Sequence, residues 1–180
     1  MKWRFAAKFL LSFAALMVLW ARIDFGSYYR SAALAVVQFF SPLVNGWQLE
    51  HDRPGAVADI VFRSGTSELP MLLQLPALSM GLVPFVSLVV ATPGQSAKRM
   101  ALNVALGSVL YFLIHVLVIL AYPLIMDRPS AVKDTLGVFT GLLAFVVAPL
   151  GLWFVLTYSA LRSLWQLGQE EPEPRRVRKT

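Results

Sequence analysis

The sequence contains no cysteine, only two histidines and few charged residues. The absence of cysteine excludes a disulfide framework, a thiolate metal site and a cysteine nucleophile. Charged residues make up 14% of the 180 residues and hydrophobic residues 57%, whereas soluble domains average about 25% and about 45–50%. The composition therefore argues against a soluble globular protein, and the length suits a single domain.

Four apolar runs dominate the chain, and the clearest, residues 100–124, holds no charged residue. About 20 apolar residues cross a hydrocarbon core of roughly 30 Å, and in lipid a helix satisfies its own backbone hydrogen bonds. We predict an all-α membrane protein with four transmembrane helices in one domain over residues 1–168. The helices lie at about residues 5–23, 69–91, 100–124 and 136–158. The third is expected to stop near Pro123, and the fourth to bend at Pro149.

The first run follows three basic residues, so a cleaved signal peptide is the alternative interpretation. Its far end, Leu19-Trp20-Ala21-Arg22, lacks the small residues of a cleavage site. We therefore expect a retained membrane anchor.

Residues 24–68 form the only sizeable stretch outside these helices, a small extracytoplasmic segment between the first and the second. Residues 31–40 are apolar with aromatic flanks, which predicts an interfacial helix lying along the membrane surface. Partial alternation at residues 47–50 and 57–62, around the turn Asp52-Arg53-Pro54-Gly55, predicts a β-hairpin. We interpret the segment as a docking platform for a partner. The candidate docking residues are Trp47, His51, Asp52 and Arg53.

The distribution of basic residues sets the orientation, because cytoplasmic segments carry an excess of Lys and Arg. With four spans, both termini and the turn at residues 91–100 share one side, which holds most of the sixteen basic residues. Both termini are therefore predicted to be cytoplasmic, with residues 169–180 as a disordered cytoplasmic tail. The net charge of +6 then favours contact with anionic lipid headgroups over nucleic acid.

A polar stripe runs along the third predicted helix, where Asn103, Gly107, Tyr111 and His115 are spaced by four. Residues at i and i+4 share one helix face. An ionisable group at membrane depth favours a functional role for His115, whereas the plainer interpretation is one interhelical hydrogen bond. We expect the stripe to face other helices. The candidate residues for function or helix packing are His115, Asn103, Tyr111 and Gln74.

The residues suggest no catalytic, cofactor or metal site. No Asp or Glu lies within a predicted span, so His115 lacks a carboxylate to orient it as a base. A zinc site needs three or four protein ligands, and the only other histidine is His51. We therefore expect a protein without enzymatic activity, cofactor or metal.

Several segments together resemble a known family. Val90-Ala91-Thr92-Pro93-Gly94, then Lys98-Arg99 and His115, after a Leu-Pro-rich run, are similar to the small membrane proteins encoded beside exosortases, in particular the exosortase H-associated type. The resemblance covers about residues 69–122. It implies an accessory protein in the inner membrane of Gram-negative bacteria, in a system that processes C-terminal sorting signals. Exosortases use a cysteine, so this chain is not the enzyme, and no catalytic role carries over.

Three hypotheses about function follow. The first is a non-enzymatic accessory protein of the inner (cytoplasmic) membrane, with lipids and another membrane protein as partners. The alternative is a small oligomeric transporter or channel, in which Asn103, Tyr111 and His115 line a path. The third, an enzyme acting on lipid or peptide through His115, needs a second catalytic group that the predicted spans do not supply.

Overall fold

The computed structural model describes residues 2–44, 46–51, 60–71, 79–126, 135 and 139–164, and these are mostly helical. The helices are α1 (Lys2–Ile23), α2 (Phe25–Val44), α3 (Leu82–Ala91), α4 (Ala97–Met126) and α5 (Ala148–Leu164), with a π-helix (Leu143–Val147) before α5. The strands are β1 (Gln48–His51), β2 (Ile60–Ser64) and β3 (Ser67–Pro70). Asp24, with φ of 50°, separates α1 from α2.

Two of the helices are long and apolar enough to span a membrane, Trp3–Ile23 and Ala97–Met126. They confirm helices at the first and third predicted positions. The third does not stop near Pro123, because α4 runs on to Met126. A proline this close to the end of a helix removes one backbone hydrogen bond and leaves the last turn in place.

The second predicted helix begins too early in the sequence-based assignment. Leu69 and Pro70 belong to β3, and the described helical residues that follow are 79–80 and the ten residues of α3. Residues 69–71 extend the sheet instead of a helix. The Met71 backbone N–H, for example, donates to the Ile60 carbonyl at 2.9 Å. Gln74 lies outside the described residues.

The fourth predicted helix is helical from residue 139 to residue 164, with the π-helix within it. The Ala148 N–H bonds to the Leu143 carbonyl, five residues back, and the next residue, Pro149, has no N–H to donate. The irregularity therefore arises just before Pro149, the position where the sequence predicts a bend.

α2 is longer and more deeply packed than the predicted interfacial helix of residues 31–40. It carries a buried stripe spaced by four, Tyr29, Ala33, Val37 and Ser41. Ala33 and Val37 pack into one core cluster with Val116 and Ile119 of α4. One face of α2 therefore lies against the second half of α4.

The strands form an antiparallel sheet in the order β1-β2-β3. Leu49 lies opposite Phe62, and Phe62 opposite Leu69, which makes one apolar row across the sheet. Phe62 is fully buried and stacks on Tyr122 of α4 with ring centroids 6.1 Å apart. The predicted hairpin is confirmed and β3 extends it, while the turn at residues 52–55 lies outside the described residues. The sheet thus covers the C-terminal end of α4.

The edges of the sheet are protected, which matters because open edges template aggregation. β3 ends at Pro70, which has no N–H and whose carbonyl accepts the Tyr122 hydroxyl hydrogen at 3.0 Å. β1 contacts α2, and Leu49 is only 3% exposed.

The face opposite the buried apolar row, the outer sheet face, carries Gln48, Glu50, Arg63 and Glu68, with the buried Val61 between Glu50 and Pro70. Arg63 Nη1 lies 3.2 Å from Glu50 Oε1, and Nη2 donates to Glu68. The Glu68 hydrogen bond and the Glu50 charge raise the pKa of Arg63 above its ordinary value. Water screens exposed ion pairs and holding two long side chains together costs entropy, so these pairs contribute little to the stability of the sheet.

α3 crosses α4 at Gly107. A Cβ built on Gly107 would overlap the ring of Phe85, which is fully buried. The absence of a side chain at this position lets the two helices approach closely and lets Phe85 lie over the α4 backbone.

We predict that Gly107→Ala lowers the unfolding temperature of the detergent-purified protein. The added methyl group must displace Phe85, and overpacking a core costs about 1–3 kcal/mol. Gly151→Ala is the matched control, because nothing lies within 4 Å of a Cβ built there. Combining Gly107→Ala with Phe85→Leu should recover part of the loss. Unchanged unfolding of Gly107→Ala would show that the crossing is looser than described.

Candidate functional site

The candidate site is centred on His115, near the middle of α4. The imidazole is fully buried, and the Tyr29 hydroxyl oxygen lies 2.6 Å from its Nδ1. The two residues are 86 positions apart in the chain. A hydrogen bond in this apolar setting is strong, and either partner left alone would carry an uncompensated desolvation cost.

The backbone of Ala144, in the π-helix, lies beside the His115 ring. The Ala148 N–H is taken by the Leu143 carbonyl, and Pro149 has none. The Ala144 carbonyl therefore accepts no hydrogen bond from the backbone nitrogen of Ala148 or of Pro149. We assign the neutral tautomer with hydrogen on Nε2, because Nδ1 then accepts the Tyr29 hydroxyl hydrogen.

Aromatic rings close the site. The Tyr111 and His115 centroids are 4.2 Å apart, and Phe112 meets Tyr29 edge-on at 5.4 Å. Tyr111 is itself fully buried. The imidazole is therefore enclosed by aromatic rings, and its bond to Tyr29 joins α2 to α4.

Asn103, the first member of the stripe, belongs to a separate polar cluster near the start of α4. Its amide donates to Gln95 Oε1 at 2.7 Å, and the Gln95 amide donates to the Val89 carbonyl at 3.2 Å. Nearby, Trp153 Nε1 donates to Thr92 Oγ1 at 2.9 Å. These bonds tie the α3–α4 turn to α5 and satisfy the buried polar groups within the protein.

The four residues of the predicted stripe, Asn103, Gly107, Tyr111 and His115, are all buried. Its members meet α2, α3 and the α3–α4 turn. Two polar residues of α5 bond away from the stripe: Thr157 donates to the Trp153 carbonyl, and Ser159 accepts from Arg99.

Sequence reasoning missed Tyr29 as the partner of His115. The signal that could have found it is the spacing of Tyr29, Ala33, Val37 and Ser41, a small-residue stripe headed by a hydroxyl. A helix with such a face packs closely against another helix. A helix that lies alone on a membrane surface does not need this spacing.

The candidate docking residues divide between the core and the surface. Trp47 is half-buried against the core cluster that holds the sheet. His51 is exposed at the end of β1, paired in register with Ile60. Asp52 and Arg53 lie outside the described residues.

Among the described residues, no group of three His, Cys, Asp or Glu side chains could hold a metal ion. A half-open apolar groove of about 190 Å³ lies between α1, α3 and α4. Trp20 and Ile23 line it on one side, Leu82 on another, and Ser108 supplies a hydroxyl. The described residues that line the groove are uncharged and, apart from Ser108, apolar or aromatic.

A comparison of the chain with protein-family models, curated proteins and solved structures finds no match.

We predict that Tyr29→Phe destabilises the protein in detergent, because it removes the hydroxyl and leaves Nδ1 of His115 buried without that donor. A lost buried hydrogen bond of this kind costs about 1–3 kcal/mol. Tyr28→Phe is the matched control, since Tyr28 is 70% exposed, and it should leave the unfolding temperature unchanged.

A double-mutant cycle with Tyr29→Phe and His115→Phe isolates the pair. We expect a coupling energy of about 1 kcal/mol, because the second substitution removes a partner that the first has already orphaned. Strict additivity of the two substitutions would mean that Tyr29 and His115 contribute independently, contrary to the geometry.

Proposed function

We propose that the chain is an integral membrane protein with four spans and both termini in the cytoplasm, and that it acts as a non-enzymatic accessory protein. Its partner would be another membrane protein, in a sorting or processing system of the exosortase type in a bacterial inner membrane. Apolar outer surfaces, a closed polar site and a charged sheet face support this function.

The distribution of polar and apolar side chains supports the membrane location. Leu11, Val18 and Leu117 are 73%, 62% and 64% exposed, while Asn103 and His115 are buried. Soluble proteins place such residues the other way round. In a bilayer the exposed leucines face lipid at no cost, and the polar groups hold helices together.

The enclosure of His115 is the observation that carries the accessory role. It is the one histidine of the four predicted spans, and its ring is 0% exposed, bonded to Tyr29 and packed on Tyr111. A catalytic base needs hydrogen-bond reach to a substrate proton. A His115 engaged in holding α2 to α4 is better suited to a scaffold than to catalysis.

The same contacts weigh against the transporter alternative. A path along the stripe would need Asn103, Gly107 and Tyr111 to line a water-accessible channel, whereas Gly107 lies under Phe85 and Asn103 bonds Gln95. Opening such a path would break the packing of Phe85 on Gly107 and the hydrogen bond between Asn103 and Gln95. The closed stripe therefore supports helix association.

The outer sheet face is the surface best suited to a partner. It is rigidly placed, because Phe62 and Tyr122 fix the sheet on α4, and it presents alternating charges from Glu50, Arg63 and Glu68. Charged rims of this kind set specificity and encounter rate in protein association.

We predict that mild-detergent affinity purification from native membranes recovers a stoichiometric membrane partner, identified by mass spectrometry. Gln48→Arg on the outer sheet face should reduce that recovery severalfold, because it places an unmatched charge beside Arg63 within the interface.

Gln38→Arg provides the control, since it makes the same substitution at an exposed position of α2 and not on the sheet. Equal recovery of the partner with both variants would show that the interface does not lie on the sheet. A homogeneous self-oligomer without a partner, together with flux in proteoliposomes abolished by His115→Gln, would favour the transporter instead.

A further inference from the structure

One end of the molecule brings together three helices that are far apart in sequence. The Phe5 and Trp153 rings lie 6.4 Å apart, which places the start of α1 beside α5. Trp153 also donates to Thr92 at 2.9 Å, so the turn that leads into α4 lies at the same end. Arg99 of α4 then donates to Ser159 of α5 at 2.6 Å.

These contacts gather exposed basic side chains into one region, which we name the cationic end. Its members are Arg4, Lys8, Lys98, Arg99 and Arg162. Arg162 follows Ser159 by three residues, so it lies on the same side of α5. Five cations from three helices thus share one surface.

No carboxylate of the described residues lies at this end. The described acidic residues are Asp24, Glu50 and Glu68. Asp24 directly follows the opposite end of α1, and the two glutamates belong to the outer sheet face, over the C-terminal end of α4. Among the residues described, no acidic side chain therefore lies at the end of the molecule that holds Arg4, Lys8, Lys98 and Arg99.

The surroundings of the cations indicate a membrane interface. Trp3 is 87% exposed and Tyr158 46% exposed, and amphipathic aromatic rings favour the headgroup level of a bilayer. Leu10 follows Lys8 on α1 and Leu102 follows Arg99 on α4, both toward the apolar region, and each leucine is 63% exposed. Going back along α5 from its C-terminal end, Arg162, Tyr158 and the exposed Val155 follow one another in the order in which a bilayer presents phosphate, interface and acyl chain.

We infer that the cationic end is a binding surface for anionic phospholipid headgroups. The inference rests on the proposed membrane location, since a headgroup layer meets this surface only if the helices are embedded. Each Lys or Arg near an anionic surface strengthens binding by about fivefold. The exposed leucines beside the cations favour lipid over nucleic acid, which would leave that apolar surface in water.

The full chain in a zwitterionic detergent, with equal amounts of phosphatidylglycerol and phosphatidylcholine, provides the test. Native mass spectrometry should show phosphatidylglycerol bound in preference. The double variant K8Q/K98Q should weaken phosphatidylglycerol binding by about 25-fold, from two cations at about fivefold each. R22Q, which removes a cation at the opposite end of α1, should change binding by less than about twofold, since screening confines charge effects to about 10 Å.

Equal occupancy by the two lipids, or an equal loss in R22Q, would overturn the inference. So would Lys98-dependent binding of a single-stranded oligonucleotide without lipid preference, which would assign the surface to nucleic acid. Alkaline carbonate extraction of native membranes tests embedding separately. Release of the chain contradicts the proposed function, whereas a chain that resists extraction but lacks lipid preference contradicts this inference alone.

Discussion

The hydrogen bond between the Tyr29 hydroxyl and His115 Nδ1 holds α2 against the middle of α4. Both groups lose water on burial, and an unsatisfied one would cost about 1–3 kcal/mol, so the pair is satisfied only while the helices stay together. α2 leads directly into β1, and the sheet then rests on Tyr122 at the end of α4. The position of the outer sheet face therefore depends on a contact made near the helix centre.

The same constraint orders the remaining polar groups of the helices. Ser87 and Thr157 donate back to carbonyls of their own helices, and Asn103 bonds Gln95 across the α3–α4 turn. Because these groups are satisfied inside the protein, the outer surfaces of α1 and α4 are free to be apolar. A molecule that is polar within and apolar outside suits a bilayer, with the charged sheet at one end and the cationic end at the other.

The sequence predicted the features that depend on local information. α1 and α4 follow from length and composition, and the buried stripe from Asn103 to His115 follows from a spacing of four, since both are properties of a single helix. The start of the second helix was wrong because Leu69 and Pro70 are apolar and suit either a span or a half-buried strand. Only pairing with β2 decides between them.

The sequence by itself determined that the chain has long apolar helices, a polar face on α4, an irregularity before Pro149 and an asymmetric charge distribution. The tertiary structure decided which groups meet: Tyr29 with His115, Phe85 over Gly107, and the cations of three helices at one end. The physical reason is the separation along the chain over which each interaction acts. Helix formation and burial preference are set by neighbours within a few residues, whereas a hydrogen bond across 86 positions exists only after the helices have packed.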